Sequence, residues 1–114
     1  MKTLFNLTTD PYDLGRFRDG EDLAEALSGF DGIELMVCGP DERNILQPSF
    51  VTGLHMSLFG SWLDLWNGDR KALLREFDTE ENIRSCYGGT DSMARLRRFQ
   101  EDLDHAKAYG GEYV

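Results

Sequence analysis

Basic residues are in short supply: 12 Lys and Arg stand against 21 Asp and Glu, a net charge of -9. A surface of that sign repels phosphate backbones and anionic membranes, which argues against general nucleic-acid binding. The one basic cluster, Arg95, Arg97 and Arg98, reads as a solvated helix face, because Arg97 and Arg98 each precede an acid (Glu101 and Asp102) by one helical turn. Cysteine is scarce too. Cys38 and Cys86 lie far apart without a CxxC partner, so neither a disulfide framework nor a structural zinc site is indicated. No stretch approaches the ~20 consecutive apolar residues that span a bilayer. The apolar stretch at the start, around Leu4 and Phe5, is too short for a signal peptide. These absences make a cytoplasmic protein with no membrane partner the expectation. Neither GxGxxG nor GxxxxGK[ST] occurs, so nucleotide binding through those phosphate cradles is unsupported.

What is present fits one packed α/β domain. The 114 residues are 40% hydrophobic and 11% aromatic, more than a disordered chain carries. A first strand is expected over Thr3 to Thr8, broken by Asp10-Pro11, because proline removes a donor and restricts its predecessor. Gly20 to Leu27 reads as a helix with Leu23, Ala26 and Leu27 on one face and acids near its positive N-terminal end. After the Asp31-Gly32 turn, Ile33 to Val37 is a nearly continuous apolar strand of the kind covered on both faces in parallel sheets. A third strand is expected over Gly53 to Leu58. Asn67-Gly68-Asp69 should cap a helix through about Phe77, and a short helix follows over Thr79 to Cys86. Thr90 or Asp91 then caps a long helix to Tyr109, with Met93, Leu96, Phe99, Leu103 and Ala106 as its apolar positions and Gly110 as its stop. Glu112 to Val114 reads as the start of a fourth strand. Strand alternating with helix predicts βαβ units and parallel pairing in sequence order, with helices on one face.

Three segments carry a family resemblance: Phe30-Asp31-Gly32-Ile33-Glu34-Leu35, then Thr52-Gly53-Leu54-His55-Met56, then Ala108-Tyr109-Gly110-Gly111-Glu112-Tyr113-Val114. In series they resemble the second, third and fourth strands of xylose-isomerase-like barrels, the superfamily of sugar-phosphate isomerases and epimerases and of endonuclease IV-type repair enzymes. The resemblance implies an incomplete TIM barrel, a parallel (β/α) arrangement covering about the first half of a fold that typically needs about 250 residues and eight strands. It implies a parent enzyme that isomerises or epimerises a small sugar or sugar phosphate by proton transfer beside a carbonyl, with a divalent metal (Mn, Mg, Zn or Co) polarising the substrate oxygens. Family ligands come mainly from strands five to eight, so the chain alone is expected to be inactive and to hold metal weakly. Two other readings stay open: a fragment of a DNA-repair barrel, which the net charge disfavours, and a non-catalytic half-barrel that self-associates through open sheet edges.

His55 is the most informative single residue, a polar side chain inside an apolar strand. It reads either as a buried histidine satisfied by hydrogen bonds or, by resemblance, as a pocket residue or metal ligand. Glu34 interrupts the second strand, and a buried carboxylate needs a partner. Its role is either structural or ligand-orienting at the barrel rim. Asn6, at the end of the first strand, could line the same pocket. Trp62 and Trp66 read as core packing or as a hydrophobic lid over a sugar site. The face meant for the barrel interior is expected to include apolar alternates of Ile33–Val37 and Leu54–Leu58. Exposing them would make the isolated chain self-associate.

Overall fold

The computed structural model describes residues 1–56 and 61–114 and holds three parallel strands in one open sheet. The strands are β1 (Leu4–Thr8), β2 (Gly32–Met36) and β3 (Val51–Leu54), ordered β1-β2-β3 as the alternation of signals predicts. The six helices among the described residues are α1 (Pro11–Leu14), α2 (Gly20–Ala26), α3 (Trp62–Asn67), α4 (Arg70–Phe77), α5 (Glu80–Tyr87) and α6 (Ser92–Tyr109). The chain divides into two compact units. One comprises residues 1–56 and 102–114, the other residues 57–101, so α6 contributes residues to each.

Local chemistry accounts for the element ends in the first unit. Asp10 accepts from the Tyr12 amide at 2.8 Å and Pro11 supplies a first helical residue that needs no donor, so β1 gives way at once to α1. Asp19 caps α2 by accepting from the Asp22 amide at 2.9 Å. Gly32 opens β2 with a φ of +151°, and a β-carbon there would overlap the Thr52 hydroxyl. Only glycine meets both conditions. Asp31 ties the turn to β1, accepting from the Thr3 amide at 2.6 Å and donating its own amide to the Thr3 carbonyl at 2.8 Å. No α-helix connects β2 to β3. That segment folds around Asp41, which accepts from the Leu46 amide at 2.7 Å while Ile45 and Leu46 are buried in the core.

Strand alternation decides the layering. Leu7, Ile33, Leu35 and Leu54 lie on one face and pack with Leu14, Phe17, Leu23, Leu27 and Ala106, so helices cover that face. Burying each such side chain is worth roughly 1.5–3 kcal/mol. The opposite face presents Asn6, Thr8, Glu34, Met36 and His55 to a pocket. The expectation of an apolar open face is therefore corrected. The apolar alternates of β2 are Ile33 and Leu35, and these are the residues under the helices, leaving Glu34 and Met36 for the other side.

Strand bounds differ modestly from expectation, except in β3. It runs Val51–Leu54 rather than Gly53 to Leu58, and Ser57 and Leu58 lie outside the described residues. Register explains the earlier start. Ile33 pairs with Val51 but Glu34 pairs with Gly53, so Thr52 is skipped in a bulge. The start of a fourth strand takes the form of a parallel bridge from Gly53 to Tyr113. Around it the Glu112 amide donates to the Thr52 carbonyl at 2.7 Å, and the Leu54 amide to the Tyr113 carbonyl at 3.0 Å.

The second unit has its own core of Leu65, Leu73, Ile83, Tyr87 and Ala94. Its caps fall where the sequence places them: Asp69 accepts from the Ala72 amide, Thr79 from the Asn82 amide and Asp91 from the Ala94 amide, at 3.0, 3.1 and 2.9 Å. The buried Ser61 and Tyr87 hydroxyls share a 2.8 Å hydrogen bond. The face of α6 departs from expectation. Met93, Leu96, Phe99 and Leu103 are exposed, while Ala94, Arg95, Asp102 and Ala106 are buried. At 3.6 residues per turn the buried row lies roughly a quarter turn from the apolar one. What each end of the helix packs against, rather than its periodicity, selected the row. No described helix is long and apolar enough to cross a membrane.

Candidate functional site

Register brings the site together. Asn6 pairs with Glu34, and Glu34 pairs with Gly53, so these three positions form one row across the sheet. Thr8 pairs with Met36 one step toward the C-terminal ends, and the His55 amide donates to the Leu35 carbonyl at 2.8 Å just past the end of β3. Side chains two apart on a strand share a face. Asn6, Glu34 and His55 therefore wall a single pocket of about 250 Å³, with Thr8, Met36 and Asp13 beside them. The structure thus brings together Asn6, Glu34 and His55, three of the residues singled out in the sequence. His55 is exposed beyond the strand end rather than embedded within the strand.

Each polar group has a definable state. His55 Nδ1 lies 2.8 Å from the Met56 carbonyl oxygen, which can only accept, so Nδ1 is the donor of that bond and Nε2 is the ring nitrogen left for a ligand. Glu34 Oε2 accepts from the Tyr113 hydroxyl at 2.9 Å, while Oε1 has no partner among the described residues. Asp13 is fully engaged: Oδ2 accepts from the Thr8 amide and hydroxyl at 3.1 and 2.7 Å, and Oδ1 pairs with Arg16 at 3.1 Å. The Asn6 amide has no hydrogen bond among the described residues and is exposed. Desolvation, then the hydrogen bond to Glu34, then the Glu34 and Glu112 charges push the Tyr113 phenol above its usual range. It stays a donor throughout neutral pH.

Tyr113 is the residue that sequence reasoning missed. Its ring lies where a β-carbon of Gly53 would stand, so the bare glycine in β3 is what admits it. Gly53 inside an apolar strand was the available signal, since such a glycine often marks a close approach. Trp62 is not among the pocket residues. It belongs to the second unit, where Trp62 and Trp66 stand 40% and 46% exposed on α3, which removes the core-packing reading for both.

The chemistry available is hydrogen bonding: one free carboxylate oxygen, one imidazole nitrogen and one amide that both donates and accepts. Among the described residues no three His, Cys, Asp or Glu side chains converge on a point that could hold an ion, and Asp13 has both oxygens committed. A second cavity of about 510 Å³ lies beyond the ends of β1 and β2. Two of its polar side chains serve the fold: Thr9 Oγ1 accepts from the Cys38 and Gly39 amides at 2.8 and 2.9 Å, and Arg43 donates to the Leu14 and Phe17 carbonyls at 2.7 and 3.2 Å. Comparison with protein-family models, with curated proteins and with solved structures returns no match to this chain.

Proposed function

We propose that the chain forms the first βα units of a (β/α)-barrel of xylose-isomerase-like type, in which Asn6, Glu34 and His55 wall a pocket for a small sugar or sugar phosphate in an isomerase or epimerase. The observation that carries this reading is convergence: Asn6 of β1, Glu34 of β2 and His55 just past the end of β3 meet at one pocket. Barrel enzymes work at the C-terminal ends of their strands, where His55 sits. Proton transfer beside a carbonyl needs acceptors positioned near the substrate carbon, and Glu34 Oε1 and His55 Nε2 are acceptors of that kind. Asn6 supplies a donor for a hydroxyl or carbonyl oxygen. The family's metal stays outside the proposal, because its ligands come mainly from strands five to eight.

The test is an NMR titration of the chain with ribose 5-phosphate and with xylose. Saturable shifts at the Asn6, Glu34 and His55 amides are the expected result. Absence of saturable shifts with both compounds overturns the reading. A second reading, a non-catalytic half-barrel that pairs with another copy, draws on β1, which has a strand neighbour on one side only among the described residues. Concentration-dependent sedimentation is its signature, and a monomer at every concentration rules it out.

A further inference from the structure

Resting on that pocket reading, we infer that Tyr113 is a positioning residue that fixes Glu34 so that the pocket seats the hydroxyl-bearing part of its ligand and rejects the phosphate. Two independent observations support the assignment. The first is geometric. The Tyr113 ring is held against Gly53, where a side chain is missing, and its backbone is bridged to β3 by the Glu112 and Leu54 amide hydrogen bonds. From that fixed ring the hydroxyl donates to Glu34 Oε2 at 2.9 Å. A carboxylate with one oxygen so occupied cannot rotate freely, and it turns a single acceptor, Oε1, toward a ligand. Holding a side chain ready in its binding geometry removes part of the ordering cost of association.

The second observation is the charge of the wall. Glu34 and Asp13 are both carboxylates, and among the described residues no lysine or arginine lines the pocket. The Arg16 guanidinium is committed to Asp13 at 3.1 Å. Phosphate sites are built from cationic side chains and converging amide donors. Here the Thr8 amide is spent on Asp13, and among the described residues the wall offers a carboxylate oxygen, an imidazole nitrogen and a side-chain amide. Such a set matches hydroxyl groups, which can donate to the first two and exchange hydrogen bonds with the third. The pocket's 250 Å³ falls below the roughly 300–1,000 Å³ of sites for drug-sized ligands, which suits a short polyol chain.

The experiment uses the whole chain at pH 8 with two probes, xylitol as a neutral polyol and inorganic phosphate, read by NMR shifts at Asn6, Glu34, His55 and Tyr113. Xylitol is expected to give saturable shifts at these residues, and phosphate none. Tyr113→Phe keeps the ring against Gly53 and removes only the hydroxyl, so the unfolding midpoint should hold while xylitol affinity falls about three- to tenfold, the loss of one hydrogen bond. Unchanged xylitol affinity in Tyr113→Phe overturns the positioning role. Saturable phosphate shifts at Asn6 and His55 overturn the selectivity while leaving a sugar-phosphate site standing. The phosphate arm needs no variant and decides the selectivity even where Tyr113→Phe folds poorly. Silence from xylitol, phosphate and ribose 5-phosphate together fells the pocket reading itself.

Discussion

The ring of Tyr113 occupies the space that a β-carbon on Gly53 would need. Gly53→Ala therefore forces the ring outward, but the atoms it meets belong to the far end of a side chain that is 43% exposed. Alanine also relieves the conformational entropy that glycine costs in a strand, about 0.5–1 kcal/mol. We expect stability to change by no more than about 1 kcal/mol, while contacts between Tyr113 and Glu34 disappear from NOE spectra. Retention of those contacts would show that the ring is not held by the gap at Gly53.

Gly32 behaves differently. A β-carbon there meets the Thr52 hydroxyl and, at 3.2 Å, the Phe50 carbonyl, and the backbone φ is +151°. Gly32→Ala should cost on the order of 1–3 kcal/mol in urea denaturation. Adding Thr52→Ala removes the side-chain clash but not the strained φ, so the double variant recovers only part of the loss. Full recovery would mean that the φ carries no strain.

Core truncations should separate the two rows of apolar residues. Leu23 is fully buried in α2 beside the sheet, whereas Leu96 is 44% exposed on α6. Leu23→Ala is expected to lose about 2–5 kcal/mol through lost contacts and the cavity left behind. Leu96→Ala should stay within about 0.5 kcal/mol. Equal losses at the two sites in chemical denaturation would mean that the α6 apolar row is buried in solution.

The tyrosines set the alkaline limit. Burial, the largest cause, raises the Tyr87 and Tyr109 phenols, opposed at Tyr87 by the Ser61 hydrogen bond and reinforced at Tyr109 by the Asp41 charge. Desolvation and the Glu34 contact raise Tyr113. A pKa raised in the folded state means that the native protein holds its proton where the unfolded chain has released it. Stability is then unaffected by these groups below the ordinary tyrosine value near 10 and falls as pH climbs through the folded values. Thermal melts between neutral pH and pH 11 should show the midpoint dropping above about pH 10. Tyr87→Phe should flatten that drop, and an undiminished slope in the variant would remove Tyr87 from the account.

Features fixed by neighbours in the chain were legible in the sequence. The caps Asp69, Thr79 and Asp91 and the stop at Gly110, with its φ of +67°, each depend on a few adjacent residues, and each appears where the residue types place it. Parallel order followed from strand and helix signals in alternation, and the gathering of Asn6, Glu34 and His55 followed from placing each at or near a strand's end. Features that depend on distant residues were not legible. The skipped Thr52 depends on how β3 fits against β2, and no local pattern marks it. The buried row of α6 depends on what packs against it, so of the five apolar positions only Ala106 is buried and the other four are exposed. Tyr113 reaches Glu34 across 79 residues of sequence. No local pattern specifies that meeting; it needs parallel pairing at Gly53 and the absence of one β-carbon there.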